Sequence, residues 1–282
     1  MKNPYIGITD FMSVTQVNEV LHFLNVGRRP TIVTRSLGVG VMMSRKTLNG
    51  LPTKWSTAFP KNADVAKIFI DHPDVYNVLH YADFEPIDVF ENLSKAVDLG
   101  GDNLQALQLD MCWPDPKDLQ RLKDNHPHLD LILQVGRKAF DMVEEDPKKL
   151  VAELAKYEVL DSVLLDKSMG EGLEMNPNFF LPFVVEIFDR FREELHVALA
   201  GGLGPATIQL VEPIAKEFPL VSIDAQGRLR PSRSALDPID WEMAYKYLHE
   251  ALRMFEETEY WYMHMARLGR RPDLIWRRRG DD

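Results

Sequence analysis

The chain has 282 residues, 45% of them hydrophobic and 27% charged, with a formal net charge of −10. That length can bury one large core or two small ones, and the acidic balance argues against a general nucleic-acid surface while leaving room for a local rim that binds a phosphate. A single cysteine excludes an internal disulfide framework, the opening MKNPYIGITDF has no long apolar stretch, and no apolar run is long enough to span a bilayer, so a soluble cytoplasmic protein without membrane contact is expected.

Strand-like and helix-like runs alternate along most of the chain. The first strand is expected at YIGIT from Tyr5, followed by Val17, Val20, Leu21 and Leu24 at the spacing of an amphipathic helix. The second is TIVTR from Thr31 or the neighbouring VGVMM from Val39. Ser44 to Asp74, with Pro52, Trp55, Pro60 and Pro73, is longer than usual crossovers and reads as a lid over a mouth or as a decorated surface crossover. Strands then follow at VYNVLHY from Val75, LQALQLD from Leu104 and LDLILQV from Leu129. After a helical face of Leu150, Leu154 and Tyr157 come DSVLLD from Asp161, HVALAGG from His196 and LVSID from Leu220. DPKK, DPID and NHPHLD read as helix starts and turns.

Eight such alternations predict a (β/α)8 barrel over residues 1–255. An open doubly wound sheet is disfavoured, because GVGVMM lacks the third glycine and the helix start of a dinucleotide fingerprint. Residues 256–282, which include YWYMHMARLGRRPDLIWRRRGDD, form a C-terminal extension expected to cover the barrel floor or to contact a second copy of the chain. Its Arg277 to Arg279 run is diluted by Asp273, Asp281 and Asp282, which favours a solvated tail over a nucleic-acid arm.

Barrel active sites lie where strands end and βα loops begin. The polar residues expected there are Thr9 and Asp10, Arg35 or Arg45, His80, Gln108 and Asp110, Gln134 and Arg137, Asp166 and Lys167, and Asp224 and Gln226. The two last strands run into glycines, in HVALAGGLGP and LVSIDAQG. Without side chains there, backbone N–H groups can approach an anion, so the pair reads as a phosphate clamp.

Five segments, in this order, carry a likeness: IGIT at Ile6 to Thr9, ALQLD at Ala106 to Asp110, LLDKSMGEG at Leu164 to Gly172, AGGLGPATI at Ala200 to Ile208, and SIDAQG at Ser222 to Gly227. Together they resemble the phosphoribosylanthranilate isomerases of tryptophan biosynthesis, which are (β/α)8 barrels. The resemblance implies a phosphate held by Gly201, Gly202, Gln226 and Gly227, with Gly170 and Gly172 lining the loop above. It implies that Asp166 is the general acid, that Asp224 and Gln108 orient the substrate, and that Arg45 replaces an arginine contacting it; Arg137 joins them as a rim residue. The implied reaction is an Amadori rearrangement, an aldose-to-ketose isomerisation in which an acid opens the ring and a base takes the C2 proton.

The chain departs from that pattern at the mouth. Ile6 stands where the family carries a cysteine, its general base, Asp110 replaces a histidine, and Ala225 and Gln226 replace serines. The leading expectation is therefore a sugar-phosphate isomerase with Asp166 as acid and a substituted base drawn from Asp10, Asp110 and His80. The competing one is a noncatalytic relative that binds a phosphometabolite in a regulatory or interaction role. Cys112, beside Trp113 and Pro114, reads as loop packing. Asp10, His80, Asp110 and Asp166 are metal-ligand types, but no HExxH, paired-cysteine or calcium-loop spacing accompanies them, so neither metal nor cofactor is expected.

Overall fold

In the computed structural model, which describes residues 3–27, 33–56, 58–85, 87–168, 174–192 and 194–268, eight strands pair in parallel, each with its sequence neighbour, and the last closes on the first. They are β1 (Tyr5–Thr9), β2 (Ser36–Ser44), β3 (Val75–Asp83), β4 (Ala106–Met111), β5 (Asp130–Val135), β6 (Ser162–Leu165), β7 (His196–Leu199) and β8 (Ser222–Ala225). This is a (β/α)8 barrel. Of the two readings of the second strand, VGVMM is the one inside β2; Val33 to Arg35 precede it, and Thr31 and Ile32 lie outside the described residues.

The helices are α1 (Val14–Gly27), α2 (Arg45–Leu48), α3 (Asn62–Ile68), α4 (Val89–Gly100), α5 (Pro116–Asn125), α6 (Arg137–Met142), α7 (Pro147–Leu154), α8 (Pro177–Phe191), α9 (Glu212–Glu217) and α10 (Trp241–Arg267). Three of them start alike. Asp115, Asp146 and Asn176 each sit before a proline and accept a hydrogen bond from an N–H of the first turn. The proline fixes φ without wasting a donor, and the cap satisfies an orphan one. Asp240 does the same for α10, accepting from the N–H groups of Glu242 and Met243 at 3.0 and 3.2 Å.

Two cores result from the strands' two faces. Outward residues such as Ile6, Ile8, Val39, Leu107, Leu133, Val163 and Ile223 pack under the helices, where Val17, Val20 and Leu24 of α1 are fully buried. Each such side chain contributes roughly 1.5–3 kcal/mol of burial. Inward, Tyr5, Val78, Ala106, Ile132, Leu164 and Ala198 plug the lower half of the barrel, so the interior is packed rather than a pore.

The floor also secures α10. Arg35 donates to the carbonyl of Val221 at 2.7 Å and to that of Pro219, and its guanidinium lies 3.4 Å from the centre of the Phe255 ring. Helix α10 runs unbroken past residue 256, with Thr258 and Glu259 still buried. Among the described residues, no helix is long and apolar enough to cross a membrane.

Candidate functional site

Above the apolar plug the inward positions turn polar. Thr9, His80, Gln108, Gln134 and Asp224 are all buried there, and Asp110 and Asp166 stand one step higher at the mouth. Room for this layer comes from glycines on the β1–β2 side. A methyl group at Gly40 would lie 2.6 Å from Thr9 Oγ1 and 3.0 Å from His80 Nε2. The chain can bring these polar groups together only because that wall lacks side chains.

The mouth opens into a cavity of about 800 Å³. Its floor is Thr9, His80, Gln108, Asp110, Gln134, Asp166 and Asp224; one wall is Gly201, Gly202, Leu203, Gln226, Gly227 and Arg228. The opposite wall belongs to the long segment after β2, which places Pro52, Thr53, Lys54, Trp55 and Phe59 over the mouth. Trp55 stacks on Phe59 with the rings 5.7 Å apart and 8° from parallel.

Hydrogen bonding separates the three carboxyl groups. Asp166 Oδ1 accepts from the N–H and the hydroxyl of Ser168, both at 2.8 Å, and Oδ2 from Gln134 Nε2 at 3.5 Å. Gln134 in turn accepts from Gln108 Nε2 at 3.0 Å. Asp110 has no such donors among the described residues; burial, and then the charge of Asp166, push its carboxyl up to about 7. Asp224 Oδ2 accepts from Thr9 Oγ1 at 2.8 Å, yet burial outweighs that bond and also lifts it to about 7, with Asp10 and Asp166 adding to the rise. Groups that titrate near neutrality are suited to give or take protons.

His80 is placed differently. Its Nε2 lies 3.4 Å from Thr9 Oγ1, and burial lowers its pKa to about 3. A ring so reluctant to charge is a poor proton acceptor at neutral pH and serves instead as a neutral hydrogen-bonding group.

Gly201 and Gly202, expected to hold an anion, both have left-handed backbone, with φ of 96° and 64°. Among the described residues their N–H groups donate to no acceptor. Gln226 and Gly227 lie on the same wall, but the Gln226 side chain turns away to donate to Asp10 Oδ2 at 3.1 Å.

Other expected residues are placed elsewhere. Asp10 does not line the cavity; its carboxylate pairs with the buried Arg230. Burial raises its pKa, and Arg230 and Gln226 oppose the rise. Arg137 begins α6 outside the cavity lining. Arg45 does line it, tied to Asp83 at 3.2 Å and to Glu85, whereas Arg35 sits at the opposite end of the barrel, because β2 begins just after it. Lys167 points to Glu145 at 2.6 Å and lies over the Phe179 ring. Gly170 and Gly172 lie outside the described residues.

Ile6 has a further consequence for the resemblance. It is fully buried in the outer core, so the inward residues of β1 are Tyr5, Gly7 and Thr9. A side chain of any type at position 6 on this register points to the helices, not the mouth. The cysteine question therefore moves to Gly7 and Thr9, neither of which is a base.

Sequence reasoning missed Arg228, which follows Gly227 and lines the wall, 3.4 Å from Glu174. Its place directly after the β8 glycine was the available signal. Cys112, half-buried with its Sγ 3.6 Å from the Phe84 carbonyl, stays off the cavity. Trp113 beside it donates to the Gln134 carbonyl at 3.1 Å and meets the Tyr157 ring edge-on. Among the described residues no set of three His, Cys, Asp or Glu side chains is arranged to hold a metal ion.

No protein-family model matches the chain, and no curated protein does. Solved structures do match. N-(5'-phosphoribosyl)anthranilate isomerase from Pyrococcus furiosus is 16% identical over 90% of this chain and 100% of its own, with a TM-score of 0.55. Phosphoribosyl anthranilate isomerase from Thermococcus kodakaraensis is 17% identical over 89% and 98%, with a TM-score of 0.53. The catalytic domain of a chitinase from Pyrococcus furiosus is 12% identical over 90% and 97%, also at 0.53. Isomerases and a chitinase domain thus match about equally well, so the likeness is one of fold, and the chain is a (β/α)8 barrel.

Proposed function

We infer that the mouth binds a phosphorylated sugar-like ligand and that its carboxyl groups move protons in an aldose–ketose isomerisation of the phosphoribosylanthranilate isomerase type. The observation that carries this reading is one cavity with Asp110, Asp166 and Asp224 on its floor and, on one wall, Gly201 and Gly202, whose N–H groups donate to no acceptor among the described residues. An anion held by the glycine wall would bring the adjoining carbons over the carboxyl groups. Asp166 is the general acid by resemblance. Asp110 and Asp224, both lifted to about 7, are the substitutes for the absent base.

A second reading has its own observation. β1 presents only Tyr5, Gly7 and Thr9 inward, so the strand that supplies the family's base supplies none here. That favours a phosphometabolite-binding barrel without catalysis, acting on a partner.

The test is turnover of phosphoribosylanthranilate, followed by its fluorescence, for wild type and Asp166→Ala purified from a host lacking its own isomerase. Turnover that the variant loses supports the isomerase. A wild type that binds ribose 5-phosphate but turns nothing over supports the binding protein, and one that does neither overturns both.

A further inference from the structure

Behind the β8 half of the clamp lies an ion pair that does not itself touch the cavity. Arg230 is 2% exposed, and its planar guanidinium serves three chain segments at once. It donates from Nη2 to Asp10 Oδ2, from Nη1 to the Gln226 carbonyl at 2.7 Å, and from Nε to the Asp237 carbonyl at 2.5 Å. Gln226 meets it from the other side, donating from its own amide to the same Asp10 oxygen.

Asp10 is aimed at this spot by its backbone. Its φ of 93° is rarely adopted by residues other than glycine. The N–H groups of Asp10 and Phe11 both donate to the Gly40 carbonyl, at 2.9 and 3.0 Å, which holds the turn in place. Strain of this sort persists only where the surroundings over-determine it, and it gathers around working sites.

The three segments meet beside the β8 half of the expected clamp. One is the end of β1. The second is the turn from β8 into Gln226 and Gly227. The third is the stretch from 231 to 240, which carries Ser234, Ala235 and Leu236 into the cavity lining and returns to the turn through the Asp240 N–H bond to the Leu229 carbonyl, 2.9 Å. A barrel closed by apolar packing has no need of a buried ion pair at this seam, because burying charge is costly and apolar residues of similar volume would do as well. What the guanidinium adds is fixed geometry, with donors in one plane addressing three acceptors.

We propose that Asp10 and Arg230 are positioning residues for the anion clamp, setting where the Gln226–Gly227 backbone meets the ligand's phosphate. This rests on the reading of the mouth as a phosphate site. It gives Asp10 a role behind the clamp in place of one facing the ligand.

The experiment is titration of wild type, Asp10→Asn and Arg230→Lys with inorganic phosphate, by calorimetry and by amide NMR of Gly201, Gly202 and Gly227. Folded variants should lose about tenfold in phosphate affinity. Before phosphate is added, their Gly227 amide should be displaced while those of Gly201 and Gly202 stay near their wild-type positions. A merely stabilising pair would lower the melting temperature without this selective shift. Folded variants that bind phosphate as wild type does overturn the proposal. Wild type supplies a reading that does not depend on variants folding: the Arg230 Nε–H resonance should move together with the Gly227 amide as phosphate saturates. Clamp amides that move while the Nε–H stays still overturn the proposal, whereas a wild type that binds no phosphate overturns the reading of the mouth itself.

Discussion

A methyl group added at Gly7 would lie 2.3 Å from Oδ1 of Asp224, its neighbour across the seam that closes the barrel. The Ile223 carbonyl, at 3.1 Å, blocks retreat on the backbone side. Gly7 is therefore the space in which the Asp224 carboxyl sits while it accepts from Thr9.

Gly7→Ala should displace Asp224 and break the Thr9 bond, at a cost of about 1–3 kcal/mol for overpacking. Urea unfolding measures it. A variant as stable as wild type would mean that the closing seam has slack.

The pH dependence of stability should carry the mark of Asp224. Its carboxyl, ordinarily near 3.8, is lifted to about 7 by burial, so between those values the folded chain holds a proton that the unfolded chain has released. Its contribution is fully favourable below the lower value and is lost as pH rises toward the upper one, with a slope of at most ~1.4 kcal/mol per pH unit. His80 works in the opposite sense. Its pKa falls from 6.5 to about 3, so its contribution is present above the higher value and is lost as pH drops. Asp224→Asn should therefore gain stability relative to wild type as pH goes from 4 to 7, read by urea melts along that range. A constant difference between the two proteins would contradict the lifted carboxyl.

Gly201 and Gly50 make a matched comparison. Both have positive φ, 96° and 68°, but a methyl group at Gly50 would meet nothing within 4 Å, while one at Gly201 would lie 2.7 Å from Asp166 Oδ1. Each alanine variant should lose roughly 1–3 kcal/mol of stability through backbone strain. Only Gly201→Ala should also weaken phosphate binding, by about tenfold or more, because it moves both the clamp and Asp166. Equal phosphate affinity in the two variants would remove Gly201 from the clamp.

The barrel is legible in the chain because a parallel strand buried on both faces must be a nearly continuous apolar run, and its end at a rim is marked by polar residues and glycines. YIGIT coincides with β1 residue for residue, and every other strand overlaps its predicted run, with β2, β3, β4 and β8 extending past it. His80, Gln108, Asp110, Asp166, Asp224 and the glycines of β7 and β8 could be assigned to one end of the barrel for the same reason, and they meet around one cavity.

The same continuity hides the rest. An apolar run buried on both sides carries no mark of which residues face inward, and a one-residue offset turns every side chain to the other face. Ile6 looks like a disabled catalytic position in the sequence, and only the register of β1 against β2 and β8 puts it under the helices and leaves Gly7 and Thr9 inside. Arg35 and Arg45 were equivalent until the start of β2 sent one to the floor and the other to the mouth. Asp10, a rim carboxylate by position, is turned by its positive φ to an arginine 220 residues away. The composition and order of the elements thus determined the barrel and the end at which its polar residues collect. The direction of each side chain and the proton affinity of each carboxyl were decided by tertiary structure, because both depend on neighbours brought close only when β8 closes on β1.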